Sequence, residues 1–198
     1  VNFQISWHEN KRVYLSVRKE KGCTHLRLHK LFQKVPPHVF KALIEYALNG
    51  NREAGAVVRR AAHDYFATAQ LAAKPLNPMG KTYNLQEIFD RLNQTLQIPE
   101  TAIGWSKRLV KGRRSITFGV YEKQTRQIRI NPLLDDPKIP LYFVEFIVYH
   151  EMLHAICPTE MDEGGRCKIH TAEFKRRERL FPYYTEAKRW GKKMFLKG

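Results

Sequence analysis

The chain has 198 residues, enough for one well-buried core or a core with a small appendage, and too few for two large domains. Hydrophobic residues make up 43% and aromatic ones 12%, which excludes a disordered chain. Charge interrupts every apolar stretch before the roughly 18 residues that a membrane helix needs, so no membrane partner is expected.

The formal net charge is +16, and it is spread unevenly. Residues 11–34 hold eight Lys or Arg against one acid, residues 105–130 eight against one, and residues 175–198 nine against two. Residues 131–174 reverse the balance, with three bases against eight acids. An acidic centre between basic segments suits cation chemistry in the middle and attraction of DNA or another polyanion at the rim. Cys23, Cys157 and Cys167 contain no CxxC pair, which argues against a disulfide framework or a thiolate zinc ribbon. Reduced thiols and a cytoplasmic location are the expectation. Val1 to Trp7 lack a basic region followed by an apolar run, so no signal peptide is expected there.

In chain order, Val13, Leu15 and Val17 alternate on one strand and Leu26 and Leu28 on the next, with Lys21-Gly22 as the turn of a hairpin. Pro36-Pro37 opens a helix through Leu48 that Asn49-Gly50 stops. A second helix is expected from Arg52 to Ala73, with Val57, Val58, Ala61, Tyr65 and Phe66 inside. Residues 74–80, with two prolines and a glycine, read as a linker, giving an N-terminal hairpin-and-helix region over 1–80 and a second domain over 81–198. Asn84 and Glu87 form a capping box for a helix to Gln97. Ile116, Phe118 and Val120, then Ile128 and Ile130, make a second hairpin around Glu122 to Arg126. Pro140 precedes an apolar helix from Leu141 to Ile156, closed by Pro158. Helices from Thr171 to Leu180 and from Tyr183 to Phe195 follow, broken at Pro182.

The apolar helix carries His150-Glu151-Met152-Leu153-His154. One helical turn separates the two histidines, so both imidazoles project from one face and can share a zinc ion. Glu151 beside them suits the general base of a metallopeptidase. A metal also explains why an apolar helix tolerates three polar side chains that would otherwise lose stability in a core. A catalytic zinc needs a third protein ligand and an open position. His170 and Glu173 both qualify by residue type, one as the ligand and the other as its supporting partner.

Glu87 to Asn93 (Glu-Ile-Phe-Asp-Arg-Leu-Asn), Gly104-Trp105-Ser106-Lys107, the strand Ile128 to Pro132, the His150–His154 motif and His170-Thr171-Ala172-Glu173-Phe174 occur in the order of an SprT-type metallopeptidase domain, which residues 84–190 resemble. That resemblance implies an α+β, zincin-like domain in which the metal helix packs on a small antiparallel sheet. It also implies one zinc ion held by His150, His154 and His170, and use of the Ile128–Ile130 strand as the edge that binds an extended substrate. The two ends, with an N-terminal hairpin and helix, Pro182-Tyr183 and Lys188-Arg189-Trp190, are similar to the YgjP-like metal-dependent hydrolases.

Two aromatic and basic stretches suit nucleic acid: Trp105, Lys107, Arg108, Arg113 and Arg114 in one, and Arg189, Trp190, Lys192 and Lys193 in the other. Cys23, His25 and His29 alternate against Leu26 and Leu28, which makes them the wet face of a strand and not a second metal cluster. The resulting expectation is a zinc metallopeptidase with Glu151 as catalytic base, acting on peptides or on proteins associated with nucleic acid. Hydrolysis of a nucleotide, or DNA binding around a structural zinc, are the alternatives.

Overall fold

The computed structural model describes residues 2–9, 13–20, 22–68, 73–107 and 116–196. Two compact units form, one from residues 1–69 with 161–168 and one from residues 70–160 with 169–198.

In the first unit β1 (Asn2–His8), β2 (Leu15–Glu20) and β3 (Cys23–His29) form a sheet in the order β1-β3-β2. β2 and β3 make the expected hairpin, with Val17 opposite Leu26 and Leu15 opposite Leu28. Gly22 at its turn has φ +81°, a left-handed value that favours glycine. β1 is a strand that the sequence expectation omits, although Phe3, Ile5 and Trp7 alternate with polar residues; it runs parallel to β3.

Helix α1 (Pro37–Asn49) begins at the tandem prolines and ends on Gly50, whose N–H bonds the Tyr46 carbonyl. Helix α2 spans Arg52–Thr68, the expected continuation over 69–72 lying outside the described residues, and its buried face is Ala54, Val58 and Ala62. Val57 and Tyr65, expected inside, are 39% and 45% exposed. The reason is close helix approach: Gly55 lies so near Tyr46 that a Cβ there would meet its ring at 2.7 Å. The small-residue side therefore faces α1. Residues 161–168, with β7 (Glu160–Met161) and β8 (Cys167–Lys168), belong largely to this unit. Arg59 Nε donates to the Gly164 carbonyl at 2.8 Å.

The second unit opens with residues 74–80, which are pinned along a sheet: Trp105 N–H donates to the Asn77 carbonyl and Gln127 Nε2 to that of Lys74. Helix α3 (Leu85–Leu96) is capped by Asn84, which accepts from the Gln86 N–H and donates through its amide to Glu87. β4 (Ala102–Trp105), β5 (Gly119–Glu122) and β6 (Gln127–Ile130) form a sheet in the order β4-β6-β5. β5 and β6 are the expected antiparallel hairpin, but β4 lies parallel to β6, so the sheet is mixed and not purely antiparallel. The register places buried Ile103 beside Ile128, so both side chains enter one core. It also makes β6 central, which rules out the Ile128–Ile130 strand as a substrate-binding edge; among the described residues β4 and β5 are the outer strands, and Asn77 lies against β4. Among the described residues no helix is long and apolar enough to cross a membrane.

Candidate metal centre

Helix α4 spans Leu141–Ile156, with Pro140 before it and Cys157 as its C-cap. Phe143, Val144, Phe146, Val148, Met152 and Leu153 are all buried, so the helix is apolar around most of its circumference. Such a helix belongs inside a fold, and α4 packs against α3, β5, β6, α5 (Ala172–Glu178) and α6 (Tyr184–Leu196). Its last two turns bring His150, Glu151 and His154 into one locus.

The third histidine arrives from a bend. His170 precedes Thr171, whose hydroxyl caps α5 by accepting from the Phe174 N–H. His170 is thus at the mouth of α5, whereas Glu173 lies in its first turn with its carboxylate bound by Arg176 and Arg177 at 2.6–2.8 Å. His150, His154 and His170 offer ligand atoms that all lie within 4.8 Å of one another, and no fourth His, Cys, Asp or Glu joins them among the described residues. Phe174, only 1% exposed, packs under all three imidazoles with ring centroids 4.6–5.0 Å away.

The donor set fits a metal ion. The Nε2 atoms of His150 and His170 stand 3.2 Å apart. Two nitrogens bound tetrahedrally to zinc, at about 2.0–2.1 Å each, would stand about 3.3–3.4 Å apart. Burial pushes His154 down to about 3, helped by His150 and His170, and pushes His170 down as well. Both are neutral at physiological pH, the state in which imidazole offers a lone pair.

Glu178 is the site residue that the sequence reading missed. It is 5% exposed, and its Oε1 accepts from His150 Nδ1 at 2.7 Å. Burial works to raise this carboxyl, but the hydrogen bond and charge of His150, with Lys188, hold it below its ordinary value. An ionised carboxylate only accepts, so Nδ1 carries a proton, and in the neutral imidazole that leaves the lone pair on Nε2, the atom that faces the cluster. It is Glu178 that reaches His150, while the Glu173 carboxylate is engaged by Arg176 and Arg177. The spacing His170, Phe174, Glu178, four residues each, was the available signal for one shared face.

Glu151 is 6% exposed against β5. A Cβ at Gly119 would meet its carboxylate at 2.7 Å, so the glycine is what admits it. Burial raises the Glu151 carboxyl to about 7, despite the opposing charge of His150 and a hydrogen bond from the Tyr121 backbone N–H. A carboxyl poised there can take up or give back a proton near neutrality. The three histidines could hold a metal ion, and the buried carboxyl of Glu151 lies beside them.

A family model described as the SprT-like family matches residues 83–186, slightly over half of the chain. The chain belongs to the SprT-like family. Among curated proteins and among solved structures, nothing matches it. The matched span of this SprT-like chain includes the three histidines, Glu151, Glu173 and Glu178.

The residues read for nucleic acid are placed as follows. Lys107, Arg189, Lys192 and Lys193 are exposed, while Trp105 is half-buried against the core with its indole N–H buried. Arg108, Arg113 and Arg114 lie outside the described residues. Cys23, Cys157 and Cys167 are free thiols.

Proposed function

We propose that this SprT-like protein is a zinc-dependent metallopeptidase, with one zinc held by His150, His154 and His170 and with Glu151 as general base. The observation that carries this reading is the conjunction of three converging imidazoles with a buried carboxyl raised to about 7. When bound, zinc would supply Lewis acidity, polarising the scissile carbonyl and acidifying a water. Glu151 would take the proton of the attacking water and return it to the leaving amine, a shuttle that a carboxyl near neutral pKa performs in both directions. Glu178 would keep His150 in the tautomer that faces the metal. An extended substrate would add to the β5 edge, the strand beside Glu151.

A structural zinc is usually closed by four protein ligands, and the three-histidine set favours a catalytic site over that reading. Glu151→Gln tests the proposal: metal analysis should find zinc retained while casein or peptide hydrolysis is lost. Hydrolysis at the wild-type rate in that variant sinks the assignment. The exposed cations Lys107, Arg189, Lys192 and Lys193 make DNA attraction part of the proposal. It predicts a DNA affinity that falls steeply with added salt, and an affinity that is flat against salt refutes it.

A further inference from the structure

Beside the imidazoles lies a cavity of about 400 Å³ whose wall includes His150 and Glu151. That volume falls within the range of small-molecule and side-chain pockets, about 300–1,000 Å³. Its body is apolar, made by Phe118, Phe143, Phe146 and Ile147. Helix α6 closes one side with Ala187, Lys188, Gly191 and Lys192, two small residues and two cations each one turn apart.

Gly191 is informative. A glycine inside a helix is less stable than alanine there, so a packing reason is expected. Packing does not demand it: a Cβ at 191 would meet Phe143 at 3.5 and 3.7 Å, an ordinary van der Waals contact. What the missing side chain leaves is the cavity itself, which a longer residue at 191 would fill. The lysines are placed differently from one another. Lys188 lies 5.8 Å from the Phe146 ring centroid and 5.7 Å from that of Tyr184, and its Nζ is 3.9 Å from Glu178 Oε2. Lys192 stands one turn further along the same wall.

We propose that this cavity binds a phenylalanine-sized apolar side chain of the peptide next to the scissile bond, and that Lys192 pairs with an acidic residue beside it. The proposal rests on the metallopeptidase reading and names the substrate class of that site. Phe118, Phe143, Phe146 and Ile147 suit a bulky apolar side chain, and the polar groups of the wall are His150, Glu151 and Glu178 with Lys188 and Lys192 of α6. A cation at the rim of an apolar pocket selects an amphiphilic pair, a bulky apolar residue with a carboxylate neighbour, because only one end of that pair gains by leaving water.

The test uses three alanine-rich fluorescent peptides that differ only at the centre: Phe-Glu, Ala-Glu and Phe-Lys. Cleavage by the zinc-loaded full chain is read by mass spectrometry, and binding to the Glu151→Gln protein by anisotropy. Phe-Glu should exceed Ala-Glu at least tenfold in both kcat/KM and affinity, and Gly191→Leu should reduce that ratio below threefold. Lys192→Glu, an exposed change that leaves the fold intact, should reverse the preference from Phe-Glu to Phe-Lys. Cleavage with equal preference for Phe-Glu and Ala-Glu overturns the pocket and leaves the peptidase reading standing. Selective binding of Phe-Glu without any cleavage by the wild type overturns the peptidase reading and leaves the pocket. Unchanged ratios in both Gly191→Leu and Lys192→Glu overturn the proposal. So does displacement of Phe-Glu by an oligonucleotide that Gly191→Leu no longer binds, which would make the cavity a base pocket.

Discussion

Removing the Glu178 carboxylate should weaken zinc binding without touching any ligand. Glu178 reaches His150 Nδ1 at 2.7 Å from a position only 5% exposed. Glu178→Ala leaves that N–H without its acceptor and frees the imidazole to rotate or change tautomer. Supporting carboxylates of this kind are worth about 10–100-fold in metal affinity, which corresponds to about 1.4–2.7 kcal/mol. Burial places Glu178→Ala near the upper end, because little water can replace the lost acceptor. Glu178→Gln keeps an oxygen that can accept but loses the charge, so it should fall near the lower end, about tenfold. Competition for zinc against a chromogenic chelator measures both, with circular dichroism to confirm that the variants are folded. An affinity within twofold of wild type for folded Glu178→Ala would refute the reasoning. It would mean that packing against Phe174 alone orients His150.

Three further outcomes follow from the same geometry. His170→Ala should lower zinc affinity far more than Glu173→Ala, since the Glu173 carboxylate is engaged by Arg176 and Arg177; the reverse order in a zinc titration would reassign the third ligand. Gly119→Ala pushes a methyl group into the Glu151 carboxylate at 2.7 Å. It should cut kcat by about 10²-fold with zinc content unchanged, and a wild-type kcat would show that the carboxylate can move freely. Asp135 accepts from the backbone N–H groups of Lys81, Thr82 and Tyr83. Burial alone would raise its carboxyl, but these donors hold it below the ordinary 3.8. Its contribution to stability is therefore present above about pH 4 and is lost as the pH falls through the lowered value. Asp135→Asn should cost about 1–2 kcal/mol at pH 7 by urea denaturation and much less at pH 3; an equal cost at both would refute the linkage.

Several features of this chain can be read without its fold because they depend on neighbours along the sequence. Pro140 and Pro158 bracket α4, Asn84 caps α3, and the spacing of His150 and His154 puts two imidazoles on one helical face. Each follows from local backbone geometry, and the structure reproduces them at those positions. Local signals can still mislead where several helix faces carry apolar residues. Val57 and Tyr65 fit a core pattern, yet the closer approach allowed by Gly55 turned α2 so that Ala54, Val58 and Ala62 lie inside. What lies far apart in sequence was not legible. The parallel pairing of β4 with β6 moved Ile130 from the expected edge to the centre of the sheet, because strand order is decided by which faces share a core.

The metal site divides the same way. The sequence by itself determined that a helix presents two histidines and a glutamate, and that His170 and Glu173 are available downstream. The resemblance already favoured His170 over Glu173; the tertiary structure adds that His170 sits in a bend 3.2 Å from His150 while Glu173 turns toward two arginines. It alone brought Glu178, twenty-eight residues away, onto His150 Nδ1. It alone buried Glu151 deeply enough to raise its carboxyl to about 7. Residue type and spacing say which groups can coordinate or exchange a proton; desolvation and through-space hydrogen bonds, which exist only once the chain has folded, set how those groups are oriented and charged.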